Sequence, residues 1–212
     1  YWETILMIIA SNIEEDKEYE LRMDMLNLVE HFLTTKELHS TIVFYSEIVL
    51  KMILMPPIAW RVGKPNTRIR KAAIICIIRL IEEQLMDPKK MYTQFKSLLN
   101  LLKNSLEDDW GNDLRFAAIV LMRHLTTYLQ EHFEHDDYQL IYVELLKRLD
   151  DAQDGIRIEC CKVFEVFFEI LPDPWSSSLY EYTIKTIYIH IDDANPDIQQ
   201  AVVSVMRKAA AK

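Results

Sequence analysis

Apolar residues recur at helical spacing along most of this 212-residue chain, in long stretches separated by short polar turns. Leu114, Ala118, Leu121 and Leu125 fall on one stripe of a helix with about 3.6 residues per turn. Ile156, Cys160, Val163 and Phe167 repeat that stripe further on. Each stripe begins one residue before an arginine, Arg115 or Arg157, and the pair recurs as Leu21-Arg22, Ile69-Arg70 and, degenerately, Ile198-Gln199. These markers, at 22, 70, 115, 157 and 199, are 48, 45, 42 and 42 residues apart. Six residues before the marker stands an aspartate in four copies (Asp16, Asp109, Asp151, Asp193) and Lys64 in the other. A period in this range, with one acidic turn and one apolar-Arg helix start, predicts stacked helix pairs, each burying its apolar face on the next.

The pattern predicts an all-α solenoid of about five pairs, ten helices, in one elongated domain over 1–212. The pairs are Trp2–Asn12 with Lys17–Thr34, Lys36–Met55 with Asn66–Met86, Pro88–Leu106 with Asn112–Phe133, Asp137–Leu149 with Gln153–Ile170, and Trp175–Ile191 with Pro196–Ala210. The repeats then run about 1–34, 36–86, 88–134, 137–171 and 175–211. Helix breakers respect these borders. The three glycines (Gly63, Gly111, Gly155) fall in the turns before second helices, and all seven prolines fall at helix edges. Asp87-Pro88 and Asn195-Pro196 read as N-caps followed by proline in the first turn.

Composition narrows what such a chain can do. Half of the residues are apolar, enough for a continuous core, and the net charge of −9 repels a phosphate backbone. Three cysteines, two of them adjacent, make no disulfide framework, which suits a reducing compartment. Adjacent residues on a helix point about 100° apart, so one of Cys160 and Cys161 is expected in the core and the other on its flank. Apolar runs such as Ile74 to Ile78 are cut by Arg79, well short of the ~20 residues that a membrane span needs. The start carries no signal-peptide pattern, and Tyr1 in place of methionine suggests a piece of a longer protein.

No catalytic constellation emerges. Three scattered glycines cannot build a phosphate-binding loop. His124, His132, His135 and Asp136 come nearest to a metal site but lack the further pair that completes a tetrahedral set. His31 beside Glu30, with His39 beyond, reads as surface and turn histidine rather than a dyad. Asp150-Asp151 and Asp192-Asp193 read as turn and cap residues rather than acid/base machinery. No enzyme activity, cofactor or metal is therefore expected.

Leu149-Asp150-Asp151 followed by Ile156-Arg157, and Ile69-Arg70-Lys71-Ala72-Ala73, resemble the HEAT repeat, with its turn aspartate and its aliphatic-Arg helix start. More narrowly, the run Tyr142 to Asp151, Trp60-Arg61-Val62-Gly63, and Ile189 to Pro196 resemble the C-terminal repeats of HEAT-repeat dynein axonemal assembly factors. That resemblance implies a cytoplasmic, non-catalytic scaffold that helps preassemble axonemal dynein arms. Its implied partners are axonemal dynein subunits and other assembly factors or chaperones, with neither nucleic acid nor membrane. Lys64 and Gln199 depart from the repeat pattern. A nuclear-transport or phosphatase scaffold, and a HEAT-like nucleic-acid enzyme with a basic groove, are the alternatives.

Two sets of residues are singled out. Asp109, Arg115, Asp151, Arg157 and Asp193 are expected to form a ladder of charge-assisted hydrogen bonds, with Asp151 accepting from Arg115 or, second, Arg157. Ile75, Ile78, Phe116, Val120 and Ile158 sit opposite the core stripe, where polar residues are expected, and are rimmed by Lys71, Arg123 and Lys162. Exposed together, they would form a protein-binding groove. Alternatively, the helix carrying Ile75 and Ile78 is apolar all round because it is buried all round.

Overall fold

The computed structural model describes residues 1–172 and 176–211, and every regular element among them is helical. The described residues form eleven α-helices: α1 (Trp2–Ile13), α2 (Tyr19–Thr34), α3 (His39–Ile48), α4 (Lys64–Glu82), α5 (Pro88–Tyr92), α6 (Phe95–Leu106), α7 (Asn112–Tyr128), α8 (His135–Arg148), α9 (Asp154–Ile170), α10 (Ser177–Tyr188) and α11 (Pro196–Ala210). They gather into two compact units, residues 1–128 and 129–212.

In the first unit, α2 packs on α4 and α4 on α7, so the second helices form one layer. α1 lies against α2, and α6 against α7. In the second unit α9 packs on α11, with α8 against α9 and α10 against α11.

The expected stripe is core in four helices. Ile69, Ala73, Cys76 and Leu80 of α4 are buried, as are Leu114, Ala118, Leu121 and Leu125 of α7. Ile156, Cys160, Val163 and Phe167 of α9, and Ile198, Val202, Val205 and Ala209 of α11, follow suit. The middle helices bury a second stripe one residue later: Arg70, Ile74, Ile77 and Ile81, then Arg115, Ile119, Met122 and Thr126. In α2 only this later stripe is buried (Arg22, Leu26, Val29, Leu33), and Leu21 is exposed. The reason is packing: α2 meets a second helix, α4, on one side only.

Two first helices depart from expectation. The stretch 36–58 is continuously coiled but irregular: a 3-10 turn (Lys36–Leu38), α3, a π-helical segment (Val49–Leu54) and a 3-10 turn (Pro56–Ile58). It is 23 residues long and holds an 18-residue window of mean hydropathy 1.5, long and apolar enough to cross a membrane by those two measures. Here Val49, Leu50, Ile53, Leu54 and Ile58 are buried against protein, while Glu47 pairs outside with Lys51 and Lys90. The expected helix from Pro88 breaks at Thr93-Gln94 without proline or glycine, where Thr93 Oγ1 donates to the Lys90 carbonyl at 2.7 Å. Such side-chain back-bonding competes with the helix ladder.

Caps follow the sequence. Asp87 accepts from the Lys90 backbone N–H at 3.1 Å, and Asn195 from that of Asp197 at 2.9 Å. Gly63, before α4, has φ +103°, a conformation that side chains bearing a Cβ resist. Gly155 lies inside the first turn of α9 rather than before it, and the expected helix start at Trp175 lies outside the described residues.

Candidate protein-binding surface

α4 and α7 lie side by side, and their exposed seam carries a shallow hollow of about 310 Å3. Its walls include Ile75 and Ile78 from α4 and Phe116, Ala117 and Val120 from α7. Phe116 is 44% exposed, and Ile75 and Val120 are half-buried. Ile78, expected exposed with them, is only 8% exposed and forms the floor. α4 is held between α2 and α7, which narrows its open face and takes Ile78 out of reach. α4 is thus a mostly buried helix with an apolar strip left open.

A polar clamp closes one end of the hollow. Lys71 Nζ donates to Asp113 Oδ2 at 2.9 Å, bridging α4 to α7. The Lys71 ammonium holds the Asp113 carboxyl below the usual aspartate value, first by that hydrogen bond and then by its charge. Asp113 was missed in the sequence because it precedes the marker pair, outside the indexed positions. Arg123, the other expected rim cation of this unit, is half-buried. In the second unit, Ile158 is half-buried, and Lys162 is exposed with Nζ 2.9 Å from Glu159 Oε2.

The charged groups at the turns need correction. Arg70, not expected in the ladder, donates through Nη2 to Asp108 Oδ2 at 2.5 Å, and both are buried. Asp109, which was expected there, is exposed; the period locates the turn but not which of two adjacent aspartates turns inward. Arg115 donates through Nη1 to the Asp108 carbonyl at 2.7 Å. Arg157 hydrogen-bonds Asp193 of the following repeat and Asp154 of its own helix, the latter at 2.5 Å. Its acid lies one repeat on from Asp151. Asp151 accepts from the Gln153 backbone N–H at 3.0 Å and stands 3.8 Å from Arg148. Arg22 donates to Asn66 Oδ1 at 3.2 Å, so in the Lys64 copy an amide receives the preceding arginine.

The thiols are sealed in. Cys76, Cys160 and Cys161 are all buried, including both members of the adjacent pair, because α9 buries two stripes rather than one. Desolvation pushes Cys76 and Cys161 up to about 12 and Cys160 well above its ordinary value. These are packing groups, held as protonated thiols. Among the described residues, no three of His, Cys, Asp or Glu converge as a metal site.

Paired helices whose second members pack into a layer, with arginines bonded to the following turn, define an all-α repeat protein of the HEAT-type α-solenoid class. Solved structures agree on the fold. A computationally designed armadillo repeat protein for modular peptide recognition matches with TM-score 0.63 and 13% identity, covering 97% of this chain and 82% of that one. An engineered protein matches with TM-score 0.64 and 8% identity, covering 97% and 79%.

Within that class, the chain is similar to dynein axonemal assembly factor 5. The factor of Xenopus laevis is 22% identical over 212 residues, covering 96% of this chain and 25% of the relative. That of Homo sapiens is 25% identical over 173 residues, covering 78% and 20%. The chain thus spans a quarter or less of the length of these relatives. No protein-family model matches it.

Proposed function

We propose that this chain is a non-catalytic protein-binding scaffold serving the cytoplasmic preassembly of axonemal dynein arms, and that the α4–α7 seam holds its protein partners. The observation that carries the site is Phe116: a large aromatic side chain 44% exposed over an apolar hollow, with the Lys71–Asp113 pair at its edge. An apolar centre with a polar rim is the anatomy of a protein-binding patch, and an accessible aromatic is the usual anchor. Similarity to proteins named as dynein axonemal assembly factors supports the client class: axonemal dynein subunits, met together with other assembly factors or chaperones. Buried, protonated cysteines and carboxylates engaged in turns and ion pairs support the non-catalytic reading. The net charge of −9 supports protein rather than nucleic-acid partners.

The test is affinity capture of the natural protein from the cytosol of ciliated cells, as wild type and as Phe116→Asp. Wild type should bring down axonemal dynein chains, and the variant should lose them while remaining folded. Equal recovery of dynein by both proteins would remove the seam from consideration. Absence of dynein from the wild-type capture would remove the client.

A further inference from the structure

Away from the Phe116 seam, the turns leading into α4 and α7 each leave a tryptophan largely in solvent. Trp60 is 56% exposed and Trp110 is 85% exposed. The two line one hollow of about 270 Å3 with Asn104, Glu107, Asp108 and Asp109. Trp60 is brought there because the Pro56–Ile58 turn packs on α6. Two exposed indoles at one hollow leave apolar area in water without return in folding, so their position calls for a ligand.

The turn that carries Trp110 is held firmly. Asp108, anchored by Arg70, also accepts from the Trp110 backbone N–H at 3.1 Å. A Cβ on Gly111 would lie 2.5 Å from Thr67 Cγ2, so only glycine allows this approach of the turn to α4. Gly63 occupies the positive-φ position after Trp60. The backbone at Trp110 is therefore set in advance rather than ordered on binding.

The walls decide the occupant. Asp108 is already neutralised by Arg70, whereas Asp109 is an exposed carboxylate, and no cation is among the residues that line the hollow. Indole faces and carboxylates both attract positive charge, and a planar guanidinium or an ammonium stacks on an indole. We propose that the Trp60–Trp110 hollow receives an arginine or lysine side chain from an extended segment of a partner protein. The overall charge of −9 steers cationic segments toward it. Trp110 also lines a neighbouring hollow with Lys64, Arg68, Lys71 and Asp113, whose three cations leave the Asp109 side as the place for a basic side chain. The inference does not depend on the Phe116 seam.

The experiment follows the indole Nε1–H signals of the 15N-labelled chain, assigned with single Trp→Phe variants, during titration with octapeptides. One alternates glycine with arginine, one glycine with glutamate, and one glycine with serine; none has an apolar side chain to reward the Phe116 seam. The arginine peptide should shift the Trp60 and Trp110 signals saturably and leave Trp2, packed edge-on against Phe32, in place. Trp110→Ala should weaken binding about tenfold, read from the Trp60 signal. Asp109→Lys, an exposed change that leaves both indoles intact, should weaken it at least as much. Equal shifts with the glutamate peptide, no shift with the arginine peptide, or unchanged affinity in Asp109→Lys would each overturn the proposal.

Discussion

Arg70 and Asp108, 38 residues apart in sequence, form an ion pair almost wholly out of solvent: Nη2 lies 2.5 Å from Oδ2, with side chains 1% and 4% exposed. The pair joins α4 to the turn that starts α7, and the same carboxylate holds Trp110. One bond therefore ties the packing of two repeats to the shape of the turn between them.

Arg70 Nε and Nη1 find no acceptor, so the pair is incompletely compensated. Removing one partner strands a buried charge, and Arg70→Met should cost about 3–5 kcal/mol in urea unfolding. Arg70→Met with Asp108→Asn should cost less than Arg70→Met alone, because the second change removes the stranded charge and keeps an acceptor for Trp110. A double variant no more stable than Arg70→Met would show that the loss is one of packing.

Acid should loosen the second unit through Asp154. The hydrogen bond from Arg157, and after it that from Asn195, holds Asp154 below the ordinary aspartate value of 3.8. A carboxyl whose folded value is depressed stabilises above its unfolded value and loses that contribution as pH falls through the folded one. The melting temperature of Asp154→Asn should therefore fall less steeply than wild type between about pH 5 and pH 2, with parallel curves at neutral pH. Identical slopes would mean that these bonds do not couple to folding.

Periodicity made the helices legible because burial on one side writes itself into every third or fourth residue. Leu114, Ala118, Leu121 and Leu125 were readable on that ground alone. The second buried stripe, with Arg70, Ile74, Ile77 and Ile81, was not. It arises from being packed between two other second helices, a property of neighbours rather than of the segment. The same cause sank Ile78 below the seam that its sequence position seemed to share with Phe116. Asp108 and Asp109 are chemically identical neighbours, and only the turn's backbone decides which is buried. Trp60 lay inside a block that resembled the assembly factors, yet no spacing rule brings it to Trp110. That meeting depends on the irregular course of residues 49–58.

The three thiols should be silent in the native state. With Cys76 and Cys161 pushed up to about 12 by burial, the thiolate fraction near pH 8 is about one part in ten thousand, and access is blocked besides. A chromogenic disulfide reagent should find no reactive group in the folded chain and three after denaturation in guanidinium. Stoichiometric reaction of a native thiol within minutes would show local opening of α4 or α9.

Phe116 and Ile78 give the sharpest contrast at the seam, because they line one hollow but differ in exposure, 44% against 8%. Ile78→Asp forces a charge among packed apolar groups and should cost about 3 kcal/mol or more, read as a collapse in melting temperature. Phe116→Asp places its charge in water. It forfeits part of the ring's contact with Ile75 and Val120 and stands three residues from Asp113, where like charges cost a few tenths of a kcal/mol. Its total loss should stay near 1 kcal/mol. Changing Lys71 to Ala in the Phe116→Asp background should deepen that loss, since Asp113 then faces the new charge without its counterion. If Phe116→Asp melts as low as Ile78→Asp, the ring belongs to the core, and no partner can be using it.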